Sequence, residues 1–312
     1  MAYKLVEGEV RLLYQGRRRV GSRPDGDSVW FKPDNPNLLS DINGRSASFN
    51  GGGFAQLRFE GIDALEIHFN TGHQLEGPAV GARNFMLQTL RFDPEQIVYT
   101  ASEDHDDIDM TVQSSVPMVV RASILTRAID PFGRPVAFVF PGNAPERSGL
   151  DLFLEVDRLD TSVNANLARA GHVYPAYYSA REVNGVRVGG LPADLRNHLT
   201  QLSEQARAAD LGMWIFDTSI EGSTITRFED LSHLAIWPKL YRRLYSFYAD
   251  ENLPHNNLHQ FIEWLHANRN DRDDLVFVLS LGELLNLSDI LTVTDTTILM
   301  NFPPRDLIIQ PR

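Results

Sequence analysis

Three short stretches carry the side chains with chemistry to offer: PDGDS at Pro24–Ser28, LRFEGIDALE at Leu57–Glu66 and DPFGR at Asp130–Arg134. Between them they supply three carboxylates, Asp27, Asp63 and Glu66, and two guanidinium groups, Arg58 and Arg134. Carboxylate oxygens suit a hard cation, and the planar fork of arginine suits the paired oxygens of a phosphate. One cation and one gripped phosphate are what phosphodiester hydrolysis needs.

The surrounding residues indicate how these groups are presented. Leu57 and Phe59 alternate with Arg58 and Glu60, the pattern of a half-buried strand that ends at Gly61 and turns Arg58 away from the core. Beyond the glycine, Asp63 and Glu66 fall three residues apart on a loop at a strand end, the usual place for a site built on a rigid scaffold. Taken alone, this segment reads first as an ordinary strand with a polar exit loop. Val20 and Ser28–Phe31 flank the DGD turn as in a hairpin whose tip presents acids, and Lys4–Tyr14 alternates as an earlier strand. Val119–Ile129 and Pro135–Phe140 are β-rich runs joined by Asp-Pro-Phe-Gly, a turn that brings Arg134 back to a strand end.

The joint pattern resembles the staphylococcal nuclease (thermonuclease) family, whose members fold as a five-stranded OB-fold barrel with three helices, bind calcium and cut DNA and RNA to leave 3′-phosphates. Asp25, Gly26, Asp27 and Ser28 match the family's DGDT-like segment, Arg58, Asp63 and Glu66 keep the spacing of its catalytic strand, and Phe132, Gly133 and Arg134 match its aromatic-Gly-Arg turn. The resemblance implies catalytic roles for Arg58, Glu66 and Arg134. It implies one Ca²⁺ held by Asp27, Asp63 and the carbonyl of Ala64, and substrate contacts at Tyr177, Tyr174 and Phe132. Packing in the core is the alternative for the tyrosines. Ala64 and Leu65 stand where the family has Thr-Pro, but only a backbone carbonyl is asked of the first position.

The helices follow the same order. Gly77–Leu90, Ser162–Gly171 and Leu195–Trp214 resemble the family's first, second and third, so the likeness covers roughly residues 18 to 217. In the second, Ser162 or Thr161 caps the start and Gly171 ends it. The segments 30–56 and 93–120 are insertions: the first is rich in Pro, Asn, Ser and Gly, and the second holds the acidic run Glu103–Asp109, a solvated loop with no calcium-loop glycine. The expected organisation is α+β: residues 1–217 as the five-stranded OB-fold barrel with three helices, and 218–312 as a small accessory α+β domain for contact with a protein partner or for self-association. In that second part Trp237–Ala249 and Leu258–Ala267 are expected helices, LVFVL, DILTV, TILM and DLIIQ are β-like, and Arg242 with Arg243 makes a small basic edge. His255 and His259 are four apart without an HExxH motif.

Composition excludes several classes. The chain has no cysteine, which rules out disulfides and thiolate metal sites. A net charge of −12 argues against a protein that coats nucleic acid, whereas an enzyme touching a few phosphates needs only a local patch such as Arg17, Arg18, Arg19 and Arg23. No apolar run reaches the roughly 18 residues of a membrane helix, and the first residues lack a secretory h-region. The expectation is a cytoplasmic, calcium-dependent nuclease acting on DNA or RNA with no membrane partner, the alternative being an OB-fold binding module without catalysis.

Overall fold

Along Tyr3–Arg11, Tyr3, Leu5 and Val10 are buried while Lys4, Glu7 and Glu9 stay partly exposed, so one face of this strand must be covered. It is covered by a barrel that closes on itself. In the computed structural model, which describes residues 2–13, 21–100, 111–183, 186–251 and 257–310, Tyr3–Arg11 pairs antiparallel with Ser28–Pro33 on one side and with Val119–Ile129 on the other. Ser28–Pro33 pairs antiparallel with Ala55–Phe59, and Val119–Ile129 with Pro135–Pro141. Parallel pairing of Ala55–Phe59 with Pro135–Pro141 completes the ring. The neighbour order, first-second-third-fifth-fourth and back to first, gives a closed five-stranded mixed barrel compatible with an OB-fold. Leu5, Phe31, Leu57, Phe59, Ile124 and Phe138 belong to its core.

Helix α1, Glu76–Thr89, lies near the expected first helix, and α2, Val156–Leu159, is a short turn that the periodicity did not signal. Helix α3, Val163–Arg169, starts where the Ser162 hydroxyl accepts from the Ala165 N–H at 3.1 Å, and Gly171, at φ 75°, follows its end. Helix α4, Ala193–Ala208, stops short of the expected Trp214, because Asp210 and Gly212 adopt left-handed φ of 51° and 60°; a 3₁₀ turn then covers Trp214–Phe216. From α3, Asn164 ties the helix to the parallel strand pair: its Nδ2 donates to the carbonyls of Glu60 and Ala137, and its Oδ1 accepts from Val139 N at 3.1 Å.

The insertions are partly built into the core. Leu39 ends a 3₁₀ turn at Pro36–Leu39 and is buried with Ile42 against the barrel. Val98–Thr100 and Thr111–Ser114 form a hairpin, while the acidic run 103–109 lies outside the described residues, as do Arg17, Arg18, Arg19 and His255.

The C-terminal part contributes α5, Pro238–Tyr248, and α6, Phe261–Ala267, together with strands inside all four expected β-like runs. The strand Glu283–Asn286 was not expected. A second sheet runs in the order Glu283–Asn286, Leu275–Val278, Leu307–Ile309, Val173–Tyr178, Gly61–Ala64, and so joins segments from both sides of residue 217. A second core likewise mixes Leu65, Ile67, Ala79 and Tyr174 with Trp237, Tyr241, Phe247, Phe261 and Val276. Among the described residues no helix is long and apolar enough to cross a membrane.

Candidate functional site

Gly61 is where the site begins. At φ 82° it breaks the chain between two sheets, so Arg58 sits on a barrel strand and Asp63 on a strand of the second sheet only five residues on. The PDGDS turn is seated against this strand end by Gly26, where a Cβ would stand 2.6 Å from the Ala64 Cβ and 2.9 Å from the Ala82 Cβ of α1. Only a residue without a side chain allows so close an approach. The approach sets Asp27 beside Asp63 and Glu66, with Asp27 Oδ2 3.4 Å from the Ala64 N–H, and Asp25 joins them.

Four acids so close together cannot all ionise freely. Burial, and next the charge of Glu66, push the Asp25 carboxyl up to about 8. Burial together with Asp25, Asp63 and Glu66 holds Asp27 well above the usual carboxylate range. Asp63 and Glu66 have a counter-charge: Arg242 of α5 forks onto Asp63, Nη2 to Oδ1 at 2.7 Å and Nη1 to Oδ2 at 3.2 Å, and its Nε donates to Glu66. Burial works against charge on this guanidinium, but Asp63 and Glu66 prevail and raise its pKa well above the ordinary arginine value.

Arg58 stands next to the acids and bonds to a tyrosine. Its Nη2 donates to the Tyr178 hydroxyl at 2.8 Å, with Cζ 4.5 Å from the ring centroid. Burial alone would raise the Tyr178 pKa; Arg58, Lys239 and Arg242 outweigh it and lower the value. Arg58 also lines a cavity of about 300 Å³ together with Asp130, Phe132, Tyr177, Tyr178 and Lys239. Beside this cavity the DPFGR turn is closed by Asp130, whose Oδ1 accepts from the N–H groups of Phe132 and Arg134, both at 2.9 Å. Arg134 Nε donates to Asp130 Oδ2 at 2.7 Å, so the contacts of Arg134 are with this turn and not with the four acids.

The sequence-derived residues therefore divide into groups. Asp27, Asp63, Ala64 and Glu66 meet at one strand end, Arg58 adjoins them, and Arg134 is held on Asp130 next to the cavity that Arg58 lines. Phe132 is 77% exposed. Tyr177 and Tyr174 are buried: the Tyr177 hydroxyl bonds Thr200 at 2.7 Å and the Arg196 carbonyl at 3.1 Å, and the Tyr174 hydroxyl donates to Asp217 at 2.8 Å. Arg242, Lys239 and Tyr178 were not among the expected site residues. The one signal for Arg242 was its place on the polar edge of an amphipathic helix, and nothing local connects it with an acid 179 positions earlier.

By donor chemistry the acids fit a hard cation, since all their donor atoms are oxygens. Their arrangement is less ready: among the described residues no three Asp, Glu or His side chains are grouped as ligands for one ion, and Arg242 holds two of the four carboxyls. No family model and no curated protein matches the chain.

Proposed function

We propose that the chain hydrolyses phosphodiester bonds of DNA or RNA with the help of one Ca²⁺, leaving 3′-phosphate ends. The observation that carries this reading is the meeting of Asp27, Asp63 and Glu66 at a strand end with Arg58 beside them, on a barrel compatible with an OB-fold. The likeness to the staphylococcal nuclease family supplies the rest. Asp27, Asp63 and the Ala64 carbonyl would hold the ion, which when bound neutralises phosphate charge and orients a water. Glu66 would be the group to accept a proton from an attacking water. Arg58, oriented by its bond to Tyr178, and Arg134, released from Asp130, grip the non-bridging oxygens as negative charge builds. The exposed ring of Phe132 offers a face for a base, and Tyr177 lines the cavity beside it.

A specific observation favours the alternative, a binding module without catalysis: Arg242 satisfies both Asp63 and Glu66, the ligand and the base, from within the chain. In either case residues 218–312 offer a contact surface for a protein partner or a second copy.

Labelled single-stranded DNA and RNA, incubated with the purified protein with and without Ca²⁺, separate the two readings. Hydrolysis that stops on chelation is expected, and single replacement of Arg58 or Glu66 should slow turnover at least about 10²-fold with the circular dichroism unchanged. Oligonucleotide binding without cleavage at any cation concentration selects the binding module.

A further inference from the structure

We propose that a second cavity, walled by Arg127 and Arg196, binds the phosphate of a molecule that also carries a planar, base-like group. The site needs neither the four acids nor a metal ion.

This cavity measures about 550 Å³, within the range of small-molecule sites, and adjoins the one that Arg58 lines. Tyr177, Tyr178, Ser179, Leu191 and Gln310 belong to both walls, so an occupant of one lies against the other. The two walls differ in charge. The first holds Glu60, Asp130 and Asp274 beside its cations, whereas among the described residues the second holds Arg127 and Arg196 and no carboxylate. In a chain of net charge −12 a hollow lined by cations alone is a local exception, and low-dielectric walls of one sign concentrate the opposite charge.

The two guanidinium groups have different settings. Arg127 is buried and held in place: Nη2 donates to the Gly190 carbonyl and lies 3.3 Å from Glu60 Oε1, and Cζ is 4.6 Å from the centroid of the Tyr3 ring. Its charge is thus shared with Glu60. Arg196 stands in the first turn of α4, and among the described residues its side chain forms no ion pair or hydrogen bond. The wall also includes residues 190–192, the entry into α4, whose first turn has no side-chain cap and whose one acid, Asp194, lies outside the wall. Gln310 adds a neutral donor: its Oε1 accepts from the Ser179 hydroxyl at 2.7 Å, which leaves the amide N–H groups for a ligand. Tyr178 and Phe277 supply aromatic rings, on which a base can stack. Cations, neutral donors and rings together select an anion joined to a flat group, and the fork of arginine suits the paired oxygens of a phosphate.

Calorimetric titration of the full-length protein in excess EDTA with AMP, adenosine and the 5′-phosphorylated trinucleotide pTpTpT tests this. With metal chelated, the result does not depend on whether the acids hold a cation. AMP should bind and adenosine should bind at least about tenfold more weakly; Arg196→Gln should weaken AMP by a similar factor, the order of one charge-assisted hydrogen bond, and leave adenosine unchanged. Arg196 is partly exposed and its side chain holds nothing else in place, so this variant keeps the fold. Arg207→Gln, on the same helix but outside the wall, should bind AMP as the wild type does. Equal affinity for AMP and adenosine, an Arg196→Gln variant that binds AMP as well as the wild type, or equal losses at Arg196 and Arg207 overturns the phosphate site. Failure of AMP and pTpTpT alike to bind at millimolar concentration overturns it too. The trinucleotide identifies the source of the phosphate. Binding at least about tenfold tighter than AMP, with the gain lost in Arg58→Gln, supports a strand running through both cavities, and binding equal to AMP supports a free nucleotide.

Discussion

Among the described residues Asp25 accepts one hydrogen bond, from its neighbour Gly26 at 2.7 Å, and otherwise faces burial and the charges of Glu66 and Asp63, with Arg242 acting against them and Arg83 also within electrostatic reach. Its pKa of about 8 in the folded chain lies far above the roughly 4 of an unfolded aspartate, so over the range between them the folded state holds a proton that the unfolded state has lost. The sign follows directly. The stabilisation is complete below about pH 4, declines as the pH rises, and is gone above about 8. The melting temperature of the wild type is therefore expected to fall between about pH 4 and about pH 8, with Asp27 acting in the same direction. Asp25→Asn keeps the acceptor for Gly26 and removes the titration; its profile should be flatter, and it should melt above the wild type at the alkaline end. A wild-type melting temperature that rises over this range would mean that Arg242 and Arg83 outweigh burial and the neighbouring acids at Asp25.

At the scale of elements the site depends on how closely the PDGDS turn can approach a strand end and a helix, which is what Gly26 decides. A methyl group there would meet Ala64 and Ala82 at under 3 Å, and neither the strand nor α1 is a flexible side chain that can swing aside. Gly26→Ala should therefore cost about 1–3 kcal/mol in urea unfolding, the range for overpacking a filled core, and should shift the turn away from Asp63. Gly77 near the start of α1 is the contrast, with nothing within 4 Å of its Cβ position, and Gly77→Ala should be neutral or stabilising by about 0.5–1 kcal/mol. Equal losses at the two positions would show that backbone freedom, not contact, sets the effect at Gly26. The same distinction explains what could be read from sequence. The Leu57–Phe59 alternation, the Asp130 turn and the Ser162 cap each rest on residues a few positions apart, and all three appear as expected. Leu39 and Ile42 entering the core from an irregular loop, and the exposed strand Glu283–Asn286, depend on what lies across from them, which no local pattern encodes.

Across the whole molecule, the strand that carries Asp63 and the segment after it are held from both ends of the sequence. Gly61–Ala64 pairs with Val173–Ala176, and the strand Val173–Tyr178 pairs in turn, parallel, with Leu307–Ile309, with Tyr177 opposite Ile308. Below the site, Leu65, Ile67 and Tyr174 are buried against side chains contributed by α5, α6 and the C-terminal strands. Ending the chain at residue 217 would remove Arg242 from Asp63 and Glu66, expose the edge of Val173–Tyr178 and leave these apolar residues without cover. Newly exposed strand edges and apolar patches favour self-association, and buried acids deprived of their cation destabilise strongly, by about 3–5 kcal/mol for a single broken pair. Residues 1–217 expressed alone are therefore expected to elute from a sizing column as aggregates, or as a monomer whose thermal transition is lowered and broadened, while the full chain melts cooperatively. A truncated chain that melts as sharply and as high as the full one would show that the barrel carries its own acids without Arg242, and the second sheet would then be an addition to the site rather than one of its walls.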